Sequence, residues 1–162
     1  MATVLLDMVI SLDGLICGPG GADGGLHDWY FNPSEVSRPI VDELVSTTGA
    51  IIVGRGAFGA GDAAGGWDDT PYQVPHFVVT HRPPQPAPRG MVEFIFVPDG
   101  VRAAVERAQE AAGDHYATIG GAPTLLGNVW PSAWWTRCSC TSYPFCSETG
   151  CPSSTAPVPD GA

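Results

Sequence analysis

The stretch AIIVGRGAF, residues 50–58, carries the pattern from which the fold of this chain is predicted. Its four leading apolar residues are typical of a short buried strand, which ends at a glycine and an arginine. Similar short apolar runs recur on both sides of it. They predict five strands, at Val4–Leu12, Ala50–Val53, Phe77–Thr80, Glu93–Val97 and Tyr116–Ile119.

Helical patterns fall between several of these strands. One helix is expected from an N-cap at Ser34 to about Thr47, and another from a cap at Asp99 to about Ala112. A short helix can follow Arg55, but the glycine-rich residues 59–66 are expected to form a loop, as are residues 17–33. Strands that alternate with helices predict an α/β fold of three layers with a mostly parallel central sheet.

The composition describes one acidic globular domain. The chain has 162 residues, 44% of them hydrophobic, a net charge of −10, and arginine as its sole basic side chain apart from histidine. Without lysine or basic clusters, it is not expected to bind nucleic acid or an anionic membrane surface. The start lacks the basic region of a signal peptide, and no apolar run is long enough to span a membrane. A cytoplasmic protein is therefore expected.

Glycine and polar residues follow the strands at the edge where parallel sheets bind ligands. Gly120 and Gly121 would let backbone amides approach a phosphate, although a plain tight turn is the simpler interpretation. Arg55 can meet a phosphate through its planar fork, or can be a solvated loop arginine. The remaining candidates for binding a dinucleotide with an extra 2′-phosphate are Gly54, Gly56, Thr80, His81, Arg82, Ala122 and Thr124.

Asp13 is the main candidate for a catalytic group, because it follows the first strand and can donate a proton or anchor a substrate. Its alternative role is that of a turn aspartate that hydrogen-bonds to its own backbone before Gly14. Asp28 is a second candidate, for substrate binding. Trp29 could stack on a flat heterocycle, although a buried loop aromatic is the simpler interpretation.

Five motifs in this order resemble one known family over roughly residues 3–126. They are VISLDGLI (9–16), GGLHDWYF (24–31), IIVGRGAF (51–58), HFVVTHR (76–82) and IGGAPTLL (119–126). Together they resemble the dihydrofolate-reductase-like family, of the type found in the C-terminal domain of bifunctional riboflavin-biosynthesis deaminase–reductases (RibD). The resemblance implies NADPH as cofactor, a small-molecule heterocyclic substrate, and cofactor roles for Gly54, Arg55, Thr80, Gly120, Gly121 and Ala122. The family's usual threonine after G-R-x is Ala57 here, which removes a hydroxyl from the implied site.

Three functions follow from this resemblance. The first is NADPH-dependent reduction of a riboflavin precursor of the 5-amino-6-(5-phosphoribosylamino)uracil type. The second is reduction of dihydrofolate or another pterin, which would need a buried carboxylate in the cleft. The third is an inactive relic that at most binds NADPH weakly.

The end of the chain does not follow the family pattern. Residues 1–127 form the reductase-like domain, whereas residues 128–162 have no strand periodicity and are expected to be irregular. Cys138, Cys140, Cys146 and Cys151 lack the paired spacing of zinc ribbons, so no metal site is expected.

A frameshift would explain this tail. Reading the codons of residues 134–137 one nucleotide earlier allows L-V-D-E, and synonymous codons then permit the rest of the family's ending. The hypothesis predicts that the C-terminal strand pair is missing, and that a family-type homodimer would be possible if the C-terminus were intact.

Overall fold

The computed structural model describes residues 1–19, 22–63, 70–86, 91–121 and 137–143, with backbone alone for 60–63 and 137–143. Its strands are β1 (Val4–Ser11), β2 (Thr48–Gly54), β3 (His76–Val79), β4 (Phe94–Val97), β5 (Tyr116–Gly120) and β6 (Arg137–Tyr143). Its helices are α1 (Asp28–Phe31), α2 (Arg38–Thr47), α3 (Arg55–Ala63) and α4 (Val101–Ala112). Across the described part of the chain, no helix is both long and apolar enough to cross a membrane.

The strands form one sheet in the order β4-β3-β2-β5-β1-β6, and all five neighbouring pairs are parallel. On one face, α4 packs its buried alanines and Val105 against alternate strand residues such as Ile52 and Ile119. On the other face, Phe58 of α3 packs against Ile51, Val53 and Val78. The predicted α/β architecture with a parallel sheet is therefore confirmed.

The strand order places a topological switch point at β5. The chain moves outward from β2 to β3 and β4, then returns through α4 to insert β5 between β1 and β2. The carboxyl ends of β1, β5 and β2 are consequently adjacent. A crevice at such a reversal is where open parallel sheets bind their ligands.

Both predicted helix caps are displaced, by three residues for α2 and by one for α4. Helix α2 begins at Arg38 with Pro39 in its first turn, while Ser34 instead accepts a hydrogen bond from the Ser37 amide at 3.3 Å. Proline suits the first turn because its missing N–H has no helical partner there. Helix α4 has Gly100 as its N-cap, at φ 91°, and the Asp99 carboxylate accepts a hydrogen bond from Arg107 at 3.0 Å.

Helix α3 extends into the stretch that was predicted to be a loop. It continues through Gly59 and Gly61 to Ala63. Phe58 is fully buried and contacts the Phe94 and Phe96 rings edge-on, with centroids 5.3 and 5.6 Å apart. This packing compensates for the low helix propensity of glycine. The packing is a tertiary contact, so no local sequence pattern reveals it.

One part of the tail that was expected to be irregular, Arg137–Tyr143, has an extended backbone in the structure. These residues form β6, which pairs with β1 from Leu5↔Arg137 to Ser11↔Tyr143. Without β6, the backbone N–H and C=O groups on that side of β1 would lack a strand partner. The threonine, tyrosine and cysteines of β6 tolerate an extended backbone. The sheet therefore has a sixth strand, at its edge, that the sequence pattern does not predict.

Candidate functional site

Glycines leave the backbone accessible where β5 and β2 end. Gly121 has φ +59°, and a Cβ built on it would lie 3.5 Å from the Cβ of Ala57 in the first turn of α3. A Cβ built on Gly120 or on Gly56 would have no neighbouring heavy atom within 4 Å. The end of β5 and the start of α3 thus form a cradle of small residues, in which backbone amides can approach a phosphate.

Arg55 is the first residue of α3 and precedes the cradle residue Gly56 in the sequence. It is exposed and begins α3 directly after the buried Gly54. Its guanidinium carbon lies 5.5 Å from the centroid of the Phe58 ring, a cation–π arrangement that holds the charge along the helix. In this structure the guanidinium therefore lies along α3, near Phe58 and Gly59, and not over the glycines of the cradle.

The end of β3 is a hydrogen-bonded turn. The Thr80 hydroxyl donates to the Arg82 carbonyl at 3.2 Å and accepts from the Arg82 amide at 3.1 Å, so it is already engaged within the chain. His81 and Arg82 are exposed. Thr80 therefore orders this turn, and the two side chains after it are the groups free to meet solvent or an anion.

Asp13 occupies the turn that follows β1. Its carboxylate accepts a hydrogen bond from the Ser11 hydroxyl, which in turn accepts one from the Leu15 amide at 2.9 Å. The Asp13 side chain is exposed. The carboxylate thus contacts a side chain of the turn, and it lies at the carboxyl edge of the sheet.

The structure separates the two neighbouring substrate candidates. Asp28 begins α1 and is exposed, whereas Trp29 is 8% exposed and its indole N–H is buried without a hydrogen-bond partner. The Trp29 ring therefore packs into the protein instead of forming a surface for stacking. Its unpaired N–H is the polar feature that remains.

Sequence reasoning missed Asp7. This aspartate lies within β1, opposite Gly120 of β5, and its Oδ1 atom is buried without a hydrogen-bond partner. Burial raises the pKa of the Asp7 carboxyl, an effect that the nearby His27 opposes. A charged residue inside the apolar run VLLDMVI was the sequence feature that could have revealed it.

Two tyrosines lie near this carboxyl, and with Asp7 and Trp29 they form what we call the Asp7 cluster: Asp7, Trp29, Tyr30 and Tyr72. The Tyr30 ring centroid lies 5.8 Å from that of Trp29 and 5.9 Å from that of Tyr72. The Tyr30 hydroxyl is buried and makes no hydrogen bond of good geometry, although the Tyr72 hydroxyl is close enough to interact with it. Burial raises the pKa of both tyrosines, and the Asp7 carboxylate raises it further.

A cavity of about 290 Å³ lies beside the cluster. Tyr30 lines it together with residues of α2, among them Arg38 and Val41. Its volume is near the lower end of the range for small-molecule pockets, roughly 300 Å³. Tyr30 is the member of the Asp7 cluster that lines this cavity; Asp7, Trp29 and Tyr72 are not among its lining residues.

The raised pKa of Asp7 predicts a pH-dependent effect of Asp7→Asn on stability. The folded protein holds this proton more tightly than the unfolded chain, so wild-type stability is lost as pH rises above the ordinary aspartate pKa. Asp7→Asn is expected to gain about 1–2 kcal/mol over wild type at neutral pH, and much less near pH 4, since it removes the negative charge that the buried carboxyl takes on as the pH rises. Urea unfolding at both pH values measures this. Asp99→Asn, an exposed carboxylate, is the control, and a gain that does not vary with pH would contradict the assignment.

The comparison with known families decides where this chain belongs. The model of the RibD C-terminal domain matches residues 2–131, which is most of the chain. The chain belongs to the RibD C-terminal domain family. The resemblance inferred from the motifs is thereby confirmed. A comparison with curated protein sequences finds no match.

Solved structures share the fold of this RibD C-terminal domain protein at low identity. One, described as a riboflavin biosynthesis protein from Shewanella sp. PV-4, has a TM-score of 0.72 at 23% identity, over 94% of this chain and 82% of that chain. A Thermotoga maritima deaminase/5-amino-6-(5-phosphoribosylamino)uracil reductase has a TM-score of 0.63 at 13% identity, over 94% of this chain. This chain spans 47% of the length of that bifunctional protein. A riboflavin biosynthesis reductase from Saccharomyces cerevisiae has a TM-score of 0.52 at 13% identity, over 97% of this chain and 78% of that chain.

Some predicted positions of this family member lie outside the described residues. Ala122 and Thr124 belong to them, as do Cys146 and Cys151, and the side chains of Cys138 and Cys140 are likewise not described. Within the described ranges, no group of three or more histidine, cysteine or acidic residues could hold a metal ion. The prediction about the four C-terminal cysteines thus stays a prediction.

Proposed function

We propose that this chain is an NADPH-dependent reductase of a small heterocyclic substrate, of the riboflavin-biosynthesis type. The observation that carries the proposal is the cradle at Gly56, Gly120 and Gly121, placed at the switch point of the sheet with Arg55 next to Gly56 in the sequence. The family and the reductases among its structural relatives favour the same activity.

The residues at this edge fit a dinucleotide. Open backbone at Gly120 and Gly121 and the start of α3 would hold the pyrophosphate, because N–H groups there can point at an anion. Arg55 would add a charge-assisted contact, and His81 and Arg82 would meet the 2′-phosphate. Ala57 cannot supply the hydroxyl of the threonine that the family usually has at this position. Backbone amides and arginine side chains would therefore bind the phosphates of the cofactor. When bound, NADPH supplies the hydride.

Asp13 is proposed to supply the proton or to anchor the substrate. Hydride addition to carbon leaves a neighbouring nitrogen or oxygen that needs a proton, and a carboxyl at the end of β1 lies at the same edge as the cradle. The Ser11 hydrogen bond would orient it. Asp28, at the start of α1, is the proposed second contact to the substrate.

Cofactor choice tests the role of the β3 end. We expect the chain to bind NADPH at least about tenfold more tightly than NADH, since the arginine fork suits a 2′-phosphate. Arg82→Gln should reduce this preference, whereas Arg107→Gln, on α4 and paired with Asp99, should not. Dissociation constants for both cofactors, measured by calorimetry, check this. Equal affinity of the wild type for the two would remove the 2′-phosphate assignment.

A pterin substrate is the second candidate, and Asp7 is the observation that favours it. Pterin recognition requires a buried carboxyl, and Asp7 is the described carboxyl whose oxygen is buried and unpaired. A panel of NADPH-dependent assays with dihydropterins and ribosylaminopyrimidines separates the two substrates.

The frameshift remains a proposal about the gene. It is supported by the end of the family match at residue 131 and by the change of composition after residue 127. Resequencing around the Leu126 codon tests it directly. An intact reading frame there would make the tail, including β6, a native part of this protein, whereas a deletion would support an inactive relic.

A further inference from the structure

The cavity of about 290 Å³ that Tyr30 and residues of α2 line, here called the α2 cavity, carries two opposite charges on its wall. They are Arg38 and Asp42, which lie one helical turn apart on the same side of α2. Both side chains are exposed. Among the described residues that line the cavity, these two are the charged ones, so its wall has one positive and one negative group.

Arg38 and Asp42 are not paired with each other. Opposite charges at this helical spacing are close enough to form an ion pair, yet the described part of the chain shows none between these two. Arg38 Nη2 instead donates a hydrogen bond to the Pro33 carbonyl at 3.3 Å, which uses one of the five N–H groups of the guanidinium. Both side chains therefore keep hydrogen-bonding capacity for a ligand.

The rest of the α2 cavity wall is apolar and aromatic. Tyr30 and Phe31 contribute two rings whose centroids are 5.1 Å apart and whose planes are nearly perpendicular, at 84°. Val41 and Val45 of α2 contribute aliphatic surface. Phe31 is 57% exposed, so an apolar group in the cavity would cover a ring that water now contacts.

We propose that the α2 cavity binds a small zwitterion with an apolar body, of the α-amino acid class. Its carboxylate would pair with Arg38 and its ammonium group with Asp42, while its side chain would pack against Phe31 and the two valines. The proposal does not depend on the reductase function, because the lining residues are not those of the glycine cradle. Tyr30 is the residue that the cavity shares with the Asp7 cluster.

The two charges disfavour ligands that carry a single kind of charge. A phosphate or a carboxylate alone would meet the like charge of Asp42, and an amine alone would meet that of Arg38. The net charge of −10 on the chain also opposes anions, whereas a zwitterion carries no net charge. The volume sets the size of the ligand, since drug-sized molecules occupy pockets of roughly 300–1,000 Å³.

Three small probes separate the two charged contacts. L-phenylalanine carries both charges, phenylpropionate is the same molecule without the amino group, and phenethylamine is the same molecule without the carboxylate. Binding of each to the full chain, without any cofactor, is measured by calorimetry or ligand-observed NMR. The variants are Arg38→Gln and Asp42→Asn. The matched controls are Arg107→Gln on α4 and Glu43→Gln, an exposed carboxylate of α2 that does not line the cavity.

We expect the wild type and both controls to bind L-phenylalanine at least about tenfold more tightly than either analogue, since each analogue leaves one charge-assisted contact unmade. Arg38→Gln should bind L-phenylalanine no more tightly than phenethylamine, and Asp42→Asn should bind it no more tightly than phenylpropionate. Both side chains are exposed, so the melting temperatures of these variants should equal that of the wild type.

Three outcomes would overturn the proposal. They are no measurable binding of L-phenylalanine to the wild type, equal affinity of the wild type for all three probes, and a loss of affinity in Arg38→Gln alone. The last would assign the cavity to simple anions. If one variant fails to fold, the three probes on the wild type and on the other variant decide by the same criteria.

Discussion

Gly49→Ala is expected to destabilise the protein severely. A Cβ at this position of β2 would lie 2.6 Å from the Ala112 carbonyl oxygen, 2.8 Å from the Ala112 Cα and 2.9 Å from the His115 Cβ. Two of these atoms are backbone at the end of α4, so they cannot move aside by rotating a side chain. The register of β2 also shifts between Thr48 and Ala50, which shows that the strand is irregular at Gly49.

The expected loss is about 3 kcal/mol or more, at or above the upper end of ordinary overpacking. Chemical denaturation measures it. Gly59→Ala in α3 is the matched control, because its Cβ would meet the Arg55 Nη1 at an ordinary 3.5 Å. The control is expected to gain about 0.5–1 kcal/mol from helix propensity. Equal stability of Gly49→Ala and wild type would mean that the end of α4 does not pack against β2 as described.

Asp13→Asn is expected to reduce turnover by about 10²-fold or more, while the dissociation constant of NADPH barely changes. Asparagine keeps the shape and can still accept the Ser11 hydrogen bond, so the turn should survive. What is lost is the ionisable proton at the carboxyl edge. Steady-state NADPH oxidation, with the best substrate from the panel of pterins and ribosylaminopyrimidines, measures the effect.

Two controls keep the interpretation of Asp13 specific. Ser11→Ala removes the hydroxyl that contacts both Asp13 and the Leu15 amide, and so weakens the turn without removing the carboxylate. Asp99→Asn changes an exposed carboxylate on the loop before α4. An unchanged rate in Asp13→Asn, with a loss in Ser11→Ala, would assign Asp13 to the turn alone.

Much of the candidate site could be placed from sequence because it follows the strands. Gly54, Arg55, Gly120 and Gly121 come directly after apolar runs, and parallel strands bring such positions to one edge. Their mutual proximity is tertiary information: Gly121 is close to Ala57 because β5 inserts next to β2. Thr80 was identified as a polar strand-end residue, but its hydrogen bonds within the turn depend on the local backbone path.

Asp7 shows why the rest of the site could not be predicted. In sequence it is one acidic residue in a strand, and its position alone does not say whether water or protein covers it. Its unpaired oxygen results from β5 on one side and from the aromatic residues of the Asp7 cluster, which come from distant parts of the chain. Whether a side chain is buried, and whether its polar atoms find hydrogen-bond partners, depends on all of these neighbours together.

By itself, the sequence determined the five strands β1 to β5, helices α2 and α4 to within a few residues, and the α/β class. Apolar periodicity and glycine breaks act locally, so a single stretch of sequence shows them. Tertiary structure alone decided three further features. Burial of Phe58 stabilises α3 as a helix despite its glycines. The side of β1 away from β5 pairs with β6. Packing leaves one oxygen of the Asp7 carboxyl buried without a hydrogen-bond partner. In each case the deciding free energy comes from contacts between segments far apart in the chain, which no local pattern records.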